Sequence, residues 1–236
     1  MITNKKTFTL GVLLAIGFAA VFAVIMSPIF GDGKNGLVYA DDMFNSLSKG
    51  SAYFIAEEVP KVEKMAGTGI DVQIKAADES QAQTWNTLYS TAGAMVTVAG
   101  TDVSIKGDLG NILKTVLADT DALYHNQSGI FNDKYNMGGR EATYAWYTSL
   151  NKMDEALKVQ QHFAESTTVS GVIKKAVEPS YNYYGIEIKK VADYKAIVTA
   201  LMVFYLIYTL WWGFAIYLIC DGVGITMTKA AKKVEA

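Results

Sequence analysis

Few residues in this chain are of types and spacings that could do chemistry. Its two histidines, His125 and His162, stand far apart in sequence. A metal pair needs its ligands to converge, and a b-type haem needs axial ligands that face each other. Spacing shows neither. His125 falls in a polar stretch and His162 on an amphipathic one, so solvated or capping roles are expected. The single cysteine, Cys220, excludes an intrachain disulfide and any multi-cysteine zinc, iron–sulfur or c-type haem site. Carboxylates adjoin at Asp41/Asp42, Glu57/Glu58, Asp119/Asp121 and Asp154/Glu155. General acid–base work needs carboxylates in a cleft, whereas neighbouring acids on a helix are usually solvated, and that is the expectation here. Asp119-Thr120-Asp121 opens like a calcium loop, but Asn126 and Gly129 are misplaced for one. No GxxxxGK[ST], GxSxG or HExxH occurs, and Gly31, Gly33 and Gly36 do not sit in a strand–turn–helix context. The expectation is therefore no catalytic residue, no metal and no cofactor.

Contact chemistry is better represented. Phe204, Tyr205, Tyr208, Trp211 and Trp212 make a broad aromatic side within the uncharged run 196–220, whose centre is Tyr208. Indole N–H and phenol O–H groups in an apolar medium need partners. A protein helix is the expected one, with a lipid or quinone as the alternatives. Gly11, Ala15, Ala19, Ala23 and Ser27 form an i+4 series of small residues on the other uncharged run, 8–30. Such a ridge lets a second helix approach closely. It drifts by about 40° per step around the helix, which suits a crossing partner rather than a parallel one. These ten residues are the expected packing and partner contacts. Two helices packing together cannot use both surfaces fully, so one should remain for another chain, with Trp211 and Trp212 as its markers.

The elements carrying these residues are two membrane spans. As a helix, residues 8–30 measure about 34 Å, enough for a hydrocarbon core of about 30 Å. A cleaved signal peptide is the weaker reading, because its apolar region runs about 7–15 residues and the nearest candidate site, Val38-Tyr39-Ala40, lies well past the run. Lys5 and Lys6 precede the first run, and Lys229, Lys232 and Lys233 follow the second. The positive-inside rule then places both ends in the cytoplasm. Lys189, Lys190 and Lys195 at the outer flank oppose that assignment and are only partly offset by Glu187 and Asp193. The expected organisation is a cytoplasmic N-terminus (1–7), a transmembrane helix (8–30), an extracytoplasmic domain (31–195), a second transmembrane helix (196–220) and a cytoplasmic tail (221–236).

The outer domain reads as α+β, mostly helical, with a small sheet of about three strands. Asp71–Lys75, Met95–Val98 and Val103–Ile105 alternate, and a glycine turn joins the last two into a hairpin. Helices are expected over 42–65 with breaks at Gly50 and Pro60, 79–92, 109–123 behind Asp108, 140–165 and 169–177, with a stop at Pro179. Trp146, Leu150, Met153 and Leu157 mark the buried face of the 140–165 helix. Residues 125–139 read as a loop, and Tyr181, Tyr183 and Tyr184 as an interfacial belt.

Composition bounds the function. The 236 residues are 51% apolar and 19% charged, with a formal charge of −2 and one arginine, Arg140. That excludes a disordered chain and a dedicated nucleic-acid binder. A large outer segment without cysteine fits a bacterial periplasm better than a eukaryotic secretory compartment. The leading expectation is a non-catalytic accessory subunit of a multi-subunit bacterial inner-membrane complex. Its partners would be other membrane subunits and the bilayer, and a respiratory or other energy-transducing assembly is a candidate host. The alternative is a periplasmic ligand-sensing receptor that signals through a partner protein, since 221–236 is too short to signal alone.

Overall fold

A computed structural model describes residues 2–225; Lys229, Lys232 and Lys233 lie outside the described residues. The chain is mostly helical with a small antiparallel sheet. It divides into two compact units, Asn45–Ile188 and Met1–Phe44 with Lys189–Ala236.

In the Asn45–Ile188 unit, β1 (Gly69–Lys75), β2 (Met95–Ala99) and β3 (Asp102–Asp108) form a sheet in the order β1-β3-β2. Gly100 supplies the left-handed backbone, at φ +62°, that the two-residue turn between β2 and β3 requires. Period-two alternation sends Ile70, Val72, Ile74, Val103 and Ile105 to one face, where Val72 lies opposite Ile105 and Ile74 opposite Val103. Packed with that face are α4 (Glu79–Thr91) and α7 (Gly139–Val159), through Trp85, Leu88 and Tyr89 and through Trp146, Leu150, Met153 and Leu157. All four expected α7 residues are fully buried. α5 (Leu109–Tyr124) adds Leu109, Ile112, Leu113 and Val116 to the core, to which Ile55, Val62, Phe131, Val169, Val172 and Val177 also belong. Asp78 and Asp108 start α4 and α5 by accepting N–H bonds from Gln81 (2.8 Å) and Asn111 (2.9 Å).

Local departures from the expected helices have physical causes. Residues 42–65 split at Gly50, into α2 (Gly36–Lys49) and α3 (Ile55–Glu63), whereas Pro60 sits inside α3. The expected loop 125–139 contains α6 (Gly129–Tyr135), held by the buried pair Phe131 and Tyr135. The expected 140–165 helix stops at Val159. Gln161 takes φ +64°, His162 N–H donates to Leu157 O (2.9 Å) and Gln161 N–H to Lys158 O (3.0 Å). That is a Schellman ending in which glutamine stands where glycine is usual. After α8 (Phe163–Val172) the helix continues through Pro179 instead of stopping. A π turn, Ile173–Val177, leads into α9 (Glu178–Tyr183). Proline has no N–H to return to the preceding turn, and a wider turn there accommodates it. Ser180 Oγ restores one bond by donating to Ala176 O at 2.6 Å.

The other unit holds α1 (Lys5–Met26) and α10 (Lys195–Gly222), each long and apolar enough to cross a membrane. α1 ends short of Phe30 because Pro28 drives Ser27 out of helical geometry, to ψ 145°.

Candidate functional site: the paired apolar helices

α1 and α10 pack antiparallel. Gly11 faces Ala215 and Ile219, Gly17 faces Trp211, Phe18 faces Tyr208 and Trp212, and Phe8 lies on Gly222. The partly or fully buried positions of α1 include Thr7, Gly11, Leu14, Phe18, Val21 and Ile25; those of α10 include Leu201, Tyr208, Trp211, Ala215, Leu218 and Gly222. The α1 set steps by alternating fours and threes, and the α10 set by one seven and then threes and fours, a 3.5-residue period typical of a gently coiled pair. Glycine is required at the tightest points. A Cβ on Gly11 would lie 2.8 Å from Ile219 N, and one on Gly222 would lie 2.7 Å from Phe8 Cα.

That seam divides the ten expected contact residues. The i+4 ridge rotates out of it, as its drift per step requires. Gly11 is buried, Ala15 half-buried, and Ala19 and Ala23 exposed, while Ser27 Oγ donates to Ala23 O at 2.7 Å. The aromatic side turns partly inward. Trp211 Nε1 donates to Leu14 O (3.0 Å), and Tyr208 OH donates to Phe18 O (3.3 Å) while its ring stacks on Phe18 at 4.0 Å. Trp212 leans on the same ring but remains half open, and Phe204 stacks on Tyr208 at 5.3 Å. Tyr205 is 72% exposed. Trp211, expected to mark the surface left for another chain, instead finds its hydrogen-bond partner inside its own. The small residues Ala19 and Ala23 are what the pair leaves uncovered.

The Asn45–Ile188 unit contains polar centres that sequence reasoning missed. The carboxylate of Asp119 is buried and accepts from Lys134 Nζ (2.6 Å), Tyr135 OH (2.6 Å) and Trp146 Nε1 (2.9 Å). Burial, reinforced by the Asp119 charge, pushes the Tyr135 phenol upward. Glu58 and Asp154 are likewise buried, with Lys61 and Lys175 beside the first and Lys158 and Ser166 beside the second. The expectation that these acids are solvated therefore fails at one member of three pairs. A helix face that looks polar in sequence is covered here by a neighbouring helix or loop. The one available signal was spacing: Asp119 and Leu123 are one turn apart on a strongly apolar face of α5.

Lys49 is buried at the end of α2, donating to Ile186 O (2.7 Å) and lying over the Tyr124 ring. Its burial lowers its pKa. Tyr124 OH donates to Lys49 O. Asn126, at φ +61°, accepts from Gly185 N–H (2.8 Å) and so ties the chain after α9 to the end of α5. Tyr53 OH donates to Asp121 (2.6 Å), and His125 Nδ1 lies 2.9 Å from Asp121 O. The hydrogen bond to Asp121 raises Tyr53 to about 12, and burial raises Tyr124 to about 12. Protonated phenols are thus favoured in the fold. Their contribution is complete below the ordinary value of 10 and is lost as pH climbs to about 12, because the unfolded chain sheds those protons first. Phenolate absorbance in an alkaline titration should show a late rise toward pH about 12, and Tyr53→Phe should remove one late ionisation. A single transition near 10 would contradict the geometry.

His162 starts α8, 3.6 Å from Glu165, and among the described residues no group of three or more His, Cys, Asp or Glu side chains gathers to hold a metal. Tyr183 and Tyr184 pack against the core rather than standing free as a belt, and Tyr181 receives the Arg140 guanidinium at 4.7 Å. Compared with known proteins, the chain matches no family model, no curated protein and no solved structure.

Proposed function

We propose that this chain is a non-catalytic subunit of a multi-subunit complex in a bacterial inner membrane. α1 and α10 span the bilayer and dock against partner helices, and the Asn45–Ile188 unit braces an extracytoplasmic partner. The observation that carries this reading is the uncovered ridge. Ala19 and Ala23 stay exposed after the pair has closed, although small residues are the ones that let helices meet in lipid. Both ends of the chain lie in the cytoplasm on this reading. Antiparallel pairing of the two spans and Lys5 and Lys6 at the start of α1 support that orientation.

Purification in mild detergent with identification of co-purifying chains tests the proposal. Ala19→Leu with Ala23→Leu should insert normally, keep its own helix pair and lose the partner. Trp211→Leu should loosen the pair itself and serves as the contrasting variant. If the wild type runs alone as a monomer and the ridge variant changes nothing, the subunit reading fails. A receptor acting through a transient partner then takes its place.

A further inference from the structure

An apolar cleft of about 690 Å³ opens in the unit that holds α1 and α10. Its walls come from three stretches. Val21, Phe22, Val24 and Ile25, with Phe30 just beyond them, close one side, residues of Leu201–Tyr208 the second, and the start of α2, with Leu37, Ala40 and Phe44, the third. Gly36 sets α2 close to α1, since a Cβ there would lie 3.1 Å from Ile25 Cγ2 and 3.2 Å from Ile25 O. Phe22, Phe204 and Tyr205 line the cleft and are themselves exposed, so it is open along the apolar surface of the helices. The uncovered Ala19 and Ala23 ridge is not among its lining residues.

Three lysines, Lys189, Lys190 and Lys195, precede the α10 wall in the chain, with a single acid, Asp193, within that stretch. Among the described residues none of the three is in an ion pair, and Lys189 only overlies the Tyr194 ring at 5.4 Å. Across the cleft Asp42 is already paired with Lys34 at 2.6 Å. Lys195 opens α10 and lies two turns before Met202 on the same helix face, about 10 Å along the axis. The cleft wall from Leu201 to Tyr208 covers about 10 Å more, within the roughly 15 Å that one leaflet contributes to a hydrocarbon core of about 30 Å. Lys195 then reaches headgroup depth while the cleft lies at acyl-chain depth.

We infer that this cleft is a binding site for an anionic glycerophospholipid, with one acyl chain between α1, α2 and α10 and the phosphate against Lys189, Lys190 and Lys195. A flexible chain fills a three-walled cleft, whereas a helix about 10–12 Å across needs a more open face. The lysines supply what an uncharged wall lacks, since juxtamembrane cations attract anionic headgroups. This assignment also explains lysines that oppose the positive-inside rule. It rests on the two helices spanning the bilayer but not on any protein partner.

The full-length protein, purified in mild detergent and stripped of loose lipid, is offered phosphatidylglycerol and phosphatidylcholine in equal amounts. Lipid retained per chain is read by native mass spectrometry. The wild type should keep about one phospholipid, with phosphatidylglycerol preferred about fivefold or more, the ratio that about 1 kcal/mol per well-placed lysine implies. Ala40→Trp and, independently, Leu201→Trp should fill the cleft and abolish retention without changing the gel-filtration profile. Lys189→Gln, Lys190→Gln and Lys195→Gln together should keep a lipid but lose the preference. Retention unchanged in both tryptophan variants overturns the site, and equal retention of the two lipids by the wild type overturns the headgroup assignment. Partner chains are counted in the same spectra, so loss of the lipid site and failure of the subunit reading are told apart.

Discussion

Asp119→Ala should be among the most destabilising single substitutions in the Asn45–Ile188 unit, costing about 3–5 kcal/mol, because it removes a buried carboxylate that is the acceptor for two buried donors, Tyr135 and Trp146, and the counter-charge of the more exposed Lys134. Three donors converge on this carboxylate: a lysine ammonium, a phenol and an indole. With the carboxylate gone, Tyr135 OH and Trp146 Nε1 are left in a dry interior without an acceptor, and Lys134 loses its counter-charge. The centre joins three helices, because Asp119 is on α5, Lys134 and Tyr135 on α6 and Trp146 on α7. Asp119→Asn keeps an acceptor but not the charge, so a smaller loss of about 1–3 kcal/mol is expected. Denaturant unfolding of the full chain in detergent measures both, with tryptophan fluorescence as the probe. An alanine variant within about 1 kcal/mol of wild type would mean that the centre contributes little net stability.

Gly110→Val should be comparably damaging for the opposite reason, excess of matter. Gly110 lies in the first turn of α5, where an added Cβ would sit 2.6 Å from Ala66 N and 2.7 Å from Ala66 Cα. Those are backbone atoms and cannot swing aside as a side-chain end can. The turn is pinned on both sides: Gly67 N–H donates to Asp108 Oδ2 at 2.6 Å, and Leu109 N–H donates to Thr68 O at 2.9 Å. Relief requires moving α5 away from the turn, which breaks those bonds, so a loss of about 3 kcal/mol or more is expected. Gly110→Ala carries the same first atom and should already cost about 1–3 kcal/mol. If alanine is tolerated with no loss, the close approach of α5 to residues 65–66 is incorrect.

Much of the fold was legible in the residue order because the determining signals are local. Alternation of Val72 and Ile74, and of Val103 and Ile105, defines strands whose pairing follows from a glycine turn. Asp108 announces the start of α5, and the apolar spacing of Trp146, Leu150, Met153 and Leu157 defines the buried face of α7. Two uncharged runs of sufficient length define the long helices. The failures lie where the deciding interaction is distant or where the backbone chose an unusual residue. A glutamine in left-handed geometry ends α7, and a serine and a π turn carry the chain through Pro179. Neither has a composition signal as strong as the glycine or proline rules that it overrides.

The candidate surface divides along the same line. Residue type alone identified Gly11, Ala15, Ala19, Ala23 and Ser27, and Phe204 to Trp212, as groups that must meet something. Which of them meet each other was decided only when α1 and α10 came together. A 3.5-residue seam cannot follow a row that steps by four, so Gly11 is enclosed while Ala19 and Ala23 rotate into the open. The same seam brings Trp211 to Leu14 O and gives its N–H an acceptor. Hydrophobic patterning is a property of each helix and is written along it. The pairing of donors with acceptors, the burial of Asp119 and the approach of a glycine to a distant backbone are properties of two elements at once, and exist only after the chain has folded.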